Sequence, residues 1–143
     1  MSILAELRAG VVTGSADETR LVGEQLAAAL AEDCVLALHG DLGVGKTTLV
    51  QGLAHGFGIR DPVVSPTFNI FHLYRGARLL AHLDAYRLDN AHQVSELMLE
   101  DFLVSPWCLA VEWPDRVAAW LPSNTVHLSL NIEAPGRHRV ALV

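Results

Sequence analysis

Eight consecutive residues, Gly40-Asp41-Leu42-Gly43-Val44-Gly45-Lys46-Thr47, fit the pattern G-x-x-x-x-G-K-[ST], and their types explain one another. Glycines let a backbone wrap around a phosphate with its N–H groups pointing inward. A helix starting near Lys46 adds the positive end of its dipole. Lys46 reaches β- and γ-phosphates as a compact point charge, and the Thr47 hydroxyl is available to Mg2+. Asp41, Leu42, Gly43, Val44, Gly45, Lys46, Thr47 and Thr48 are the expected nucleotide-binding residues.

Such a loop works with an acid at the end of a second buried strand, holding Mg2+ or its water. Two runs end in one: Leu79-Leu80-Ala81-His82-Leu83-Asp84 and Cys108-Leu109-Ala110-Val111-Glu112. The second is more purely apolar and better resembles a central parallel strand. Glu112 is therefore the first choice for the metal-associated acid, with Asp84 as its neighbour near the γ-phosphate. Either acid could instead face water or cap a helix. His82 and Asp84, two apart on a strand, share a face and could form a metal pair. No further ligand cluster lies nearby in the sequence, so Mg2+ at the phosphate loop is preferred.

Ser65-Pro66-Thr67-Phe68 could hold a hydroxyl, that of Thr67, where it senses the γ-phosphate or the metal. A proline turn leading into a strand is the plain alternative. Arg75, Arg87, Arg116 and Arg137 are candidates for neutralising phosphate, and spacing does not choose among them. Trp107, Trp113 and Trp120 read as core or interface aromatics, with Trp113 adjoining Glu112.

The elements that must position these residues follow from periodicity. Ser15-Ala16-Asp17-Glu18 has capping-box spacing, and Val22, Leu26, Ala29 and Leu30 continue one helical stripe. Residues 34–38 form an apolar run too short for a helix, so a buried strand precedes the loop. Leu49, Val50, Leu53, Ala54 and Phe57 then recur at helical spacing, ending at Gly56 and Gly58. Residues 68–74 and 79–84 read as a hairpin, 95–103 as a short helix, 107–111 as a strand and 115–120 as a short helix. Residues 126–132 alternate like a strand wet on one face, and 139–143 form a last strand. The expected fold is one α/β P-loop NTPase domain over residues 1–143, a mostly parallel central sheet flanked by helices with antiparallel C-terminal strands.

Composition narrows the partners. The 143 residues are 51% hydrophobic and 18% charged, with net charge −6, a balance that suits a packed core. Nine of the ten basic residues are arginines, and Lys46 is the only lysine. Scattered arginines on an acidic chain argue against direct electrostatic binding of nucleic acid. Cys34 and Cys108 each begin an apolar run and read as buried thiols in a reducing compartment. No apolar run reaches the ~18–20 residues of a membrane span, and the N-terminus lacks a signal peptide's order. A cytoplasmic protein with no membrane partner is expected.

Four blocks together resemble the bacterial TsaE (YjeE) family of small P-loop ATPases. They are Gly40-Asp41-Leu42-Gly43-Val44-Gly45-Lys46-Thr47-Thr48, Ser65-Pro66-Thr67-Phe68, His82-Leu83-Asp84-Ala85-Tyr86-Arg87-Leu88 and Val111-Glu112-Trp113. Countless NTPases share the first block; the combination is specific. Ala85 departs from the larger apolar residue common in the family. The resemblance implies an ATP- and Mg2+-dependent ATPase, weak alone, that supports multiple turnover in making threonylcarbamoyladenosine on tRNA. Its partners would be TsaB and TsaD, with tRNA held only indirectly through them. By motif, Lys46 and the loop glycines would bind phosphates, and Thr47 and Glu112 would coordinate Mg2+. Thr67 would sit in a switch-like loop and Asp84 would support hydrolysis. The helix near Glu18 and the turn near Arg137 would flank the base.

Three rivals share the scaffold. A small-molecule kinase usually adds a substrate lid, for which 143 residues leave little room. A regulatory GTPase needs N-K-x-D or T-K-x-D, and no second lysine exists to supply it. A nucleotide sensor that never hydrolyses would act by partner binding alone.

Overall fold

The structure, a computed structural model, describes residues 2–41, 43–64 and 70–143. Helices α1 (Ile3–Ala9), α2 (Ala16–Ala29), α3 (Lys46–Gly56) and α4 (Ala91–Glu96) are interleaved with strands. The strands are β1 (Val11–Thr13), β2 (Cys34–His39), β3 (Phe71–Tyr74), β4 (Leu79–Asp84), β5 (Trp107–Glu112), β6 (Val126–Ala134) and β7 (Arg137–Leu142). Among the described residues they form one sheet in the order β1-β7-β6-β2-β5-β4-β3. The β6-β2-β5-β4 centre is parallel, whereas β3, β7 and β1 add antiparallel. This is the expected α/β P-loop sheet, with antiparallel strands at both edges.

Period two along the strands divides the core between the sheet's faces. Leu36, Leu38, Leu80, Cys108, Ala110 and Leu128 share a cluster with Val22 and Leu26 of α2 and Leu49 and Leu53 of α3. Val35, Ala81, Leu83, Leu109 and Val111 turn the other way, toward Val94 of α4, Leu99 and Val117. Helices α2 and α3 pack through glycine. A Cβ on Gly52 would lie 2.0 Å from the Arg20 carbonyl oxygen, and one on Gly23 would lie 2.4 Å from that of Leu49. The close approach fixes α3, and with it the residues that start at Lys46.

Several sequence expectations shift. The helix expected at 95–103 is instead α4 followed by a 3₁₀ turn, Leu99–Asp101. The Asn90 side chain caps α4 early by accepting from the Gln93 N–H at 3.2 Å, and Met98 at φ 53° breaks the helix. The expected helix at 115–120 is a 3₁₀ stretch, Pro114–Trp120, with Val117 off helical geometry at φ −130°. Along β6 the buried face ends at Leu130; Ile132, next to a bulge, is 56% exposed. Helix α1 and strand β1 are additions, too short to show a period.

Candidate functional site

The loop leaves the C-terminal end of β2, at the point where β5 and β4 lie on one side and β6 and β7 on the other. Crevices at such switch points are where open α/β sheets bind ligands. Gly43 at φ 79° and Gly45 at φ 102° occupy the left-handed region, which glycine enters without penalty. Gly45 precedes α3 with no side-chain cap, leaving the first N–H groups of the helix for a ligand.

A cavity of about 490 Å3 opens above this helix start. Gly43, Gly45, Lys46, Thr47, Thr48, Asp84, Glu112 and Trp113 all contribute to its wall. The structure thus brings together the lysine, the hydroxyl and both strand-end acids. Asp84 and Glu112 are register partners at the ends of β4 and β5. The Asp84 carboxylate accepts the Tyr86 N–H at 3.0 Å, which fixes the turn after β4.

Lys46 is only 4% exposed. Its Nζ donates to the Gly40 carbonyl at 2.7 Å and lies 4.0 Å from the centre of the Trp113 ring. Burial lowers the Lys46 pKa from its ordinary value, while Glu112, Asp84 and Asp41 pull it back up. Glu112 is 5% exposed, and its Oε2 lies 2.5 Å from Nε2 of the fully buried His82. Trp113 is held at φ 56°, with its ring 5.2 Å from that of Tyr86. Arg116 sits over Tyr86 in turn, at 5.7 Å.

Other expected residues are placed differently. Val44 is buried and anchors the loop to the core. Asp41 is exposed and faces a second cavity beside His39 and Asp115. Arg137 is exposed, and the cavity is lined by its neighbours Gly136 and His138 instead. Period two along β7 puts His138, not Arg137, on the cavity side. Near Glu18, the wall is formed by Gly14, Ser15, Ala16 and Thr19. Ser15 caps α2 by accepting from the Glu18 N–H at 3.2 Å, and the Glu18 carboxylate accepts from Gly14 N–H. Leu42, and Thr67 with the rest of Ser65-Pro66-Thr67-Phe68, lie outside the described residues.

Two histidines complete the site. His138 Nδ1 donates to the Val44 carbonyl at 2.8 Å, tying β7 to the loop after β2 across 94 positions. Nothing local in the sequence signals that contact. For His82 a signal exists, since its spacing from Asp84 puts both on one face.

The donor set tests whether Mg2+ and a triphosphate fit. The Thr47 hydroxyl and the Asp84 and Glu112 carboxylates are hard oxygen donors, of the kind Mg2+ takes alongside phosphate and water. Among the described residues no group of three or more His, Cys, Asp or Glu forms a metal cage. His82 Nε2 is turned to Glu112. A buried ammonium, open helix N–H groups and oxygen donors around one cavity suit a Mg2+-bound polyphosphate.

Known proteins share this sequence and this fold. The family model described as "Threonylcarbamoyl adenosine biosynthesis protein TsaE" matches residues 13–140. The tRNA threonylcarbamoyladenosine biosynthesis protein TsaE of Treponema pallidum is 35% identical over 131 residues, covering 92% of this chain and 97% of that one. Its namesake in Synechocystis is 46% identical over 107 residues, covering 71% of this chain and 67% of that one. The crystal structure of Bacillus subtilis YdiB superposes with a TM-score of 0.76 at 30% identity, covering 93% of this chain and 82% of that one. By sequence and by fold, the chain belongs to the TsaE family.

Proposed function

We propose that this chain binds and hydrolyses ATP with Mg2+, and that this activity serves threonylcarbamoyladenosine formation on tRNA. The observation that carries the reading is the convergence of Lys46, Thr47, Asp84 and Glu112 on one cavity at the C-terminal edge of the sheet. Family membership and the names of the relatives support the pathway.

In this reading the open N–H groups of α3 and the Lys46 ammonium hold the β- and γ-phosphates. Lys46 would exchange its Gly40 carbonyl for the γ-phosphate. Thr47 and Glu112 would hold Mg2+, which supplies charge neutralisation as the β–γ bond breaks. Asp84, beside Glu112, supports hydrolysis, and either it or Thr67 orients the attacking water. His138 and the start of α2 flank the nucleotide's far end. Water adds to the γ-phosphorus, the β–γ oxygen leaves with ADP, and inorganic phosphate is released.

The chain works in the cytoplasm as an ATPase that is weak alone and dependent on TsaB and TsaD. Those partners hold the tRNA, consistent with a net charge of −6 here. Among the described residues no helix is long and apolar enough to cross a membrane.

Reconstitution of tRNA modification with and without this chain tests the role. Wild type is expected to restore multiple turnover, whereas Lys46→Ala and Glu112→Ala do not. Multiple-turnover modification that is unaffected by omitting the chain overturns the role.

A further inference from the structure

We propose that His82 is a positioning residue for Glu112, which it holds by one carboxylate oxygen so that the other is presented to the metal–nucleotide. The inference rests on the ATPase reading of the cavity and assigns the site a residue beyond the phosphate loop and its acids.

Three observations carry it. First, the contact is short and dry. His82 Nε2 lies 2.5 Å from Glu112 Oε2, with His82 fully buried and Glu112 5% exposed. A hydrogen bond in so dry a site is one that water does not compete for.

Second, the proton's place follows from the other ring nitrogen. His82 Nδ1 is buried and has no hydrogen-bond partner among the described residues. A hydrogen on Nδ1 would be a buried donor with nothing to donate to, whereas a bare lone pair there is tolerated more readily. A hydrogen on Nε2 is donated to Oε2 and leaves only the lone pair at Nδ1. Oε2 is thereby engaged inside the protein, and Oε1 remains for the cavity that Glu112 lines.

Third, the sheet is built to allow the contact. The register partner of His82 is Ala110, while that of Glu112 is Asp84. His82 reaches Glu112 along the diagonal, a distance that rings and long side chains span between adjacent strands. Ala110 has no side chain beyond Cβ, so the imidazole can lean across it. Residues 82, 84, 110 and 112 all stand on the phosphate-loop face. A carboxylate so held loses the rotamer freedom that would otherwise carry it away from the metal. Partners of this kind, behind a metal ligand, commonly change affinity or activity 10–100-fold when removed.

The test uses His82→Gln, whose amide N–H can stand where Nε2–H stood, and His82→Asn, whose shorter amide cannot reach Oε2. His82→Phe supplies a ring without a donor. Each full-length variant is checked for folding by its melting curve. Two readouts follow: Mn2+ affinity, measured by electron paramagnetic resonance with a non-hydrolysable ATP analogue bound, and kcat and KM for ATP. His82→Asn and His82→Phe are expected to weaken Mn2+ binding and lower kcat about 10–100-fold with KM changed less than about threefold. His82→Gln is expected to recover most of both. Equal losses in the Gln and Asn variants, or wild-type Mn2+ affinity and kcat in a folded Asn variant, overturn the role of His82 alone. A wild-type protein that binds no Mn2+–nucleotide overturns this inference and the ATPase reading together.

Discussion

Asp84 and Glu112 are paired in register at the C-terminal ends of two adjacent parallel strands, and both open into the cavity above Lys46. The two acids nevertheless sit in different surroundings. Glu112 is buried against His82, while Asp84 is half-buried and bonded to the turn that follows it. Glu112→Gln is expected to keep binding of a non-hydrolysable ATP analogue and to lower kcat about 100-fold, with Asp84→Asn losing a comparable factor. Steady-state kinetics beside analogue titration checks this; hydrolysis at wild-type rate in the Glu112 variant contradicts it.

Lys46 and Trp113 form the second testable pair. With Nζ 4.0 Å from the ring centre, the ammonium perturbs the indole, and a phosphate that draws Lys46 away removes the perturbation. Nucleotide addition is expected to change tryptophan emission. The change should vanish in Trp113→Phe, although Trp107 and Trp120 still fluoresce. An unaltered signal change in that variant would place the reporter elsewhere.

Helix packing supplies a stability prediction. At Gly52 a Cβ would meet backbone, the Arg20 carbonyl at 2.0 Å, so neither helix can yield by rotating a side chain. Gly52→Ala is expected to cost about 1–3 kcal/mol by overpacking. In a chain of this size each kcal/mol shifts Tm by about 2–4 °C. Because α3 carries Lys46, ATP affinity should fall as well. Thermal unfolding of the two proteins side by side decides it, and an unchanged Tm would refute the close approach.

The thiols make a separate prediction. Cys34 and Cys108 are register partners with sulfurs 3.8 Å apart, and Arg78 Nη2 lies 3.3 Å from Cys34 Sγ. The Cys108 hydrogen bond, and then Arg78, lower the Cys34 pKa from 9.0 to about 7 against the opposing effect of burial. Cys108 is pushed up, by its bond with Cys34 and by burial. Lower pKa means more thiolate at a given pH. Cys34 is 8% exposed and Cys108 fully buried, so native alkylation with iodoacetamide should be slow and should modify Cys34 first, its rate rising through neutral pH and levelling above about pH 8. Cys108 should react only on unfolding. A Cys34 rate that climbs only near pH 9, the ordinary thiol value, contradicts this assignment.

Local patterns made much of this fold legible. The apolar runs of β2 and β5, the alternation along β6 and the helical stripe after Lys46 each report a period within one element. The preference for Glu112 rests on the same source, an apolar run that better resembles a central strand. Contacts between distant segments left no such trace. His138 meets Val44 because β7 returns beside β6 and aligns its inward residues with the loop, a matter of register. His82 reaches Glu112 because its partner is Ala110, a pairing that exists only once β4 and β5 are neighbours. Arg137 is exposed and its neighbour His138 lines the cavity, an alternation along β7 that a turn-level reading of the sequence does not resolve. The break at Met98 and the short α1 and β1 fall below the length at which any period can be read.

Isothermal titration of wild type and Lys46→Ala with Mg2+–ATP, at matched melting temperature, tests the central claim most directly. Wild type is expected to bind at the cavity, and loss of the buried ammonium is expected to weaken binding at least about 100-fold, as removal of a desolvated charge contact does. ATP affinity in a folded Lys46→Ala protein equal to that of wild type would contradict the assignment of the site.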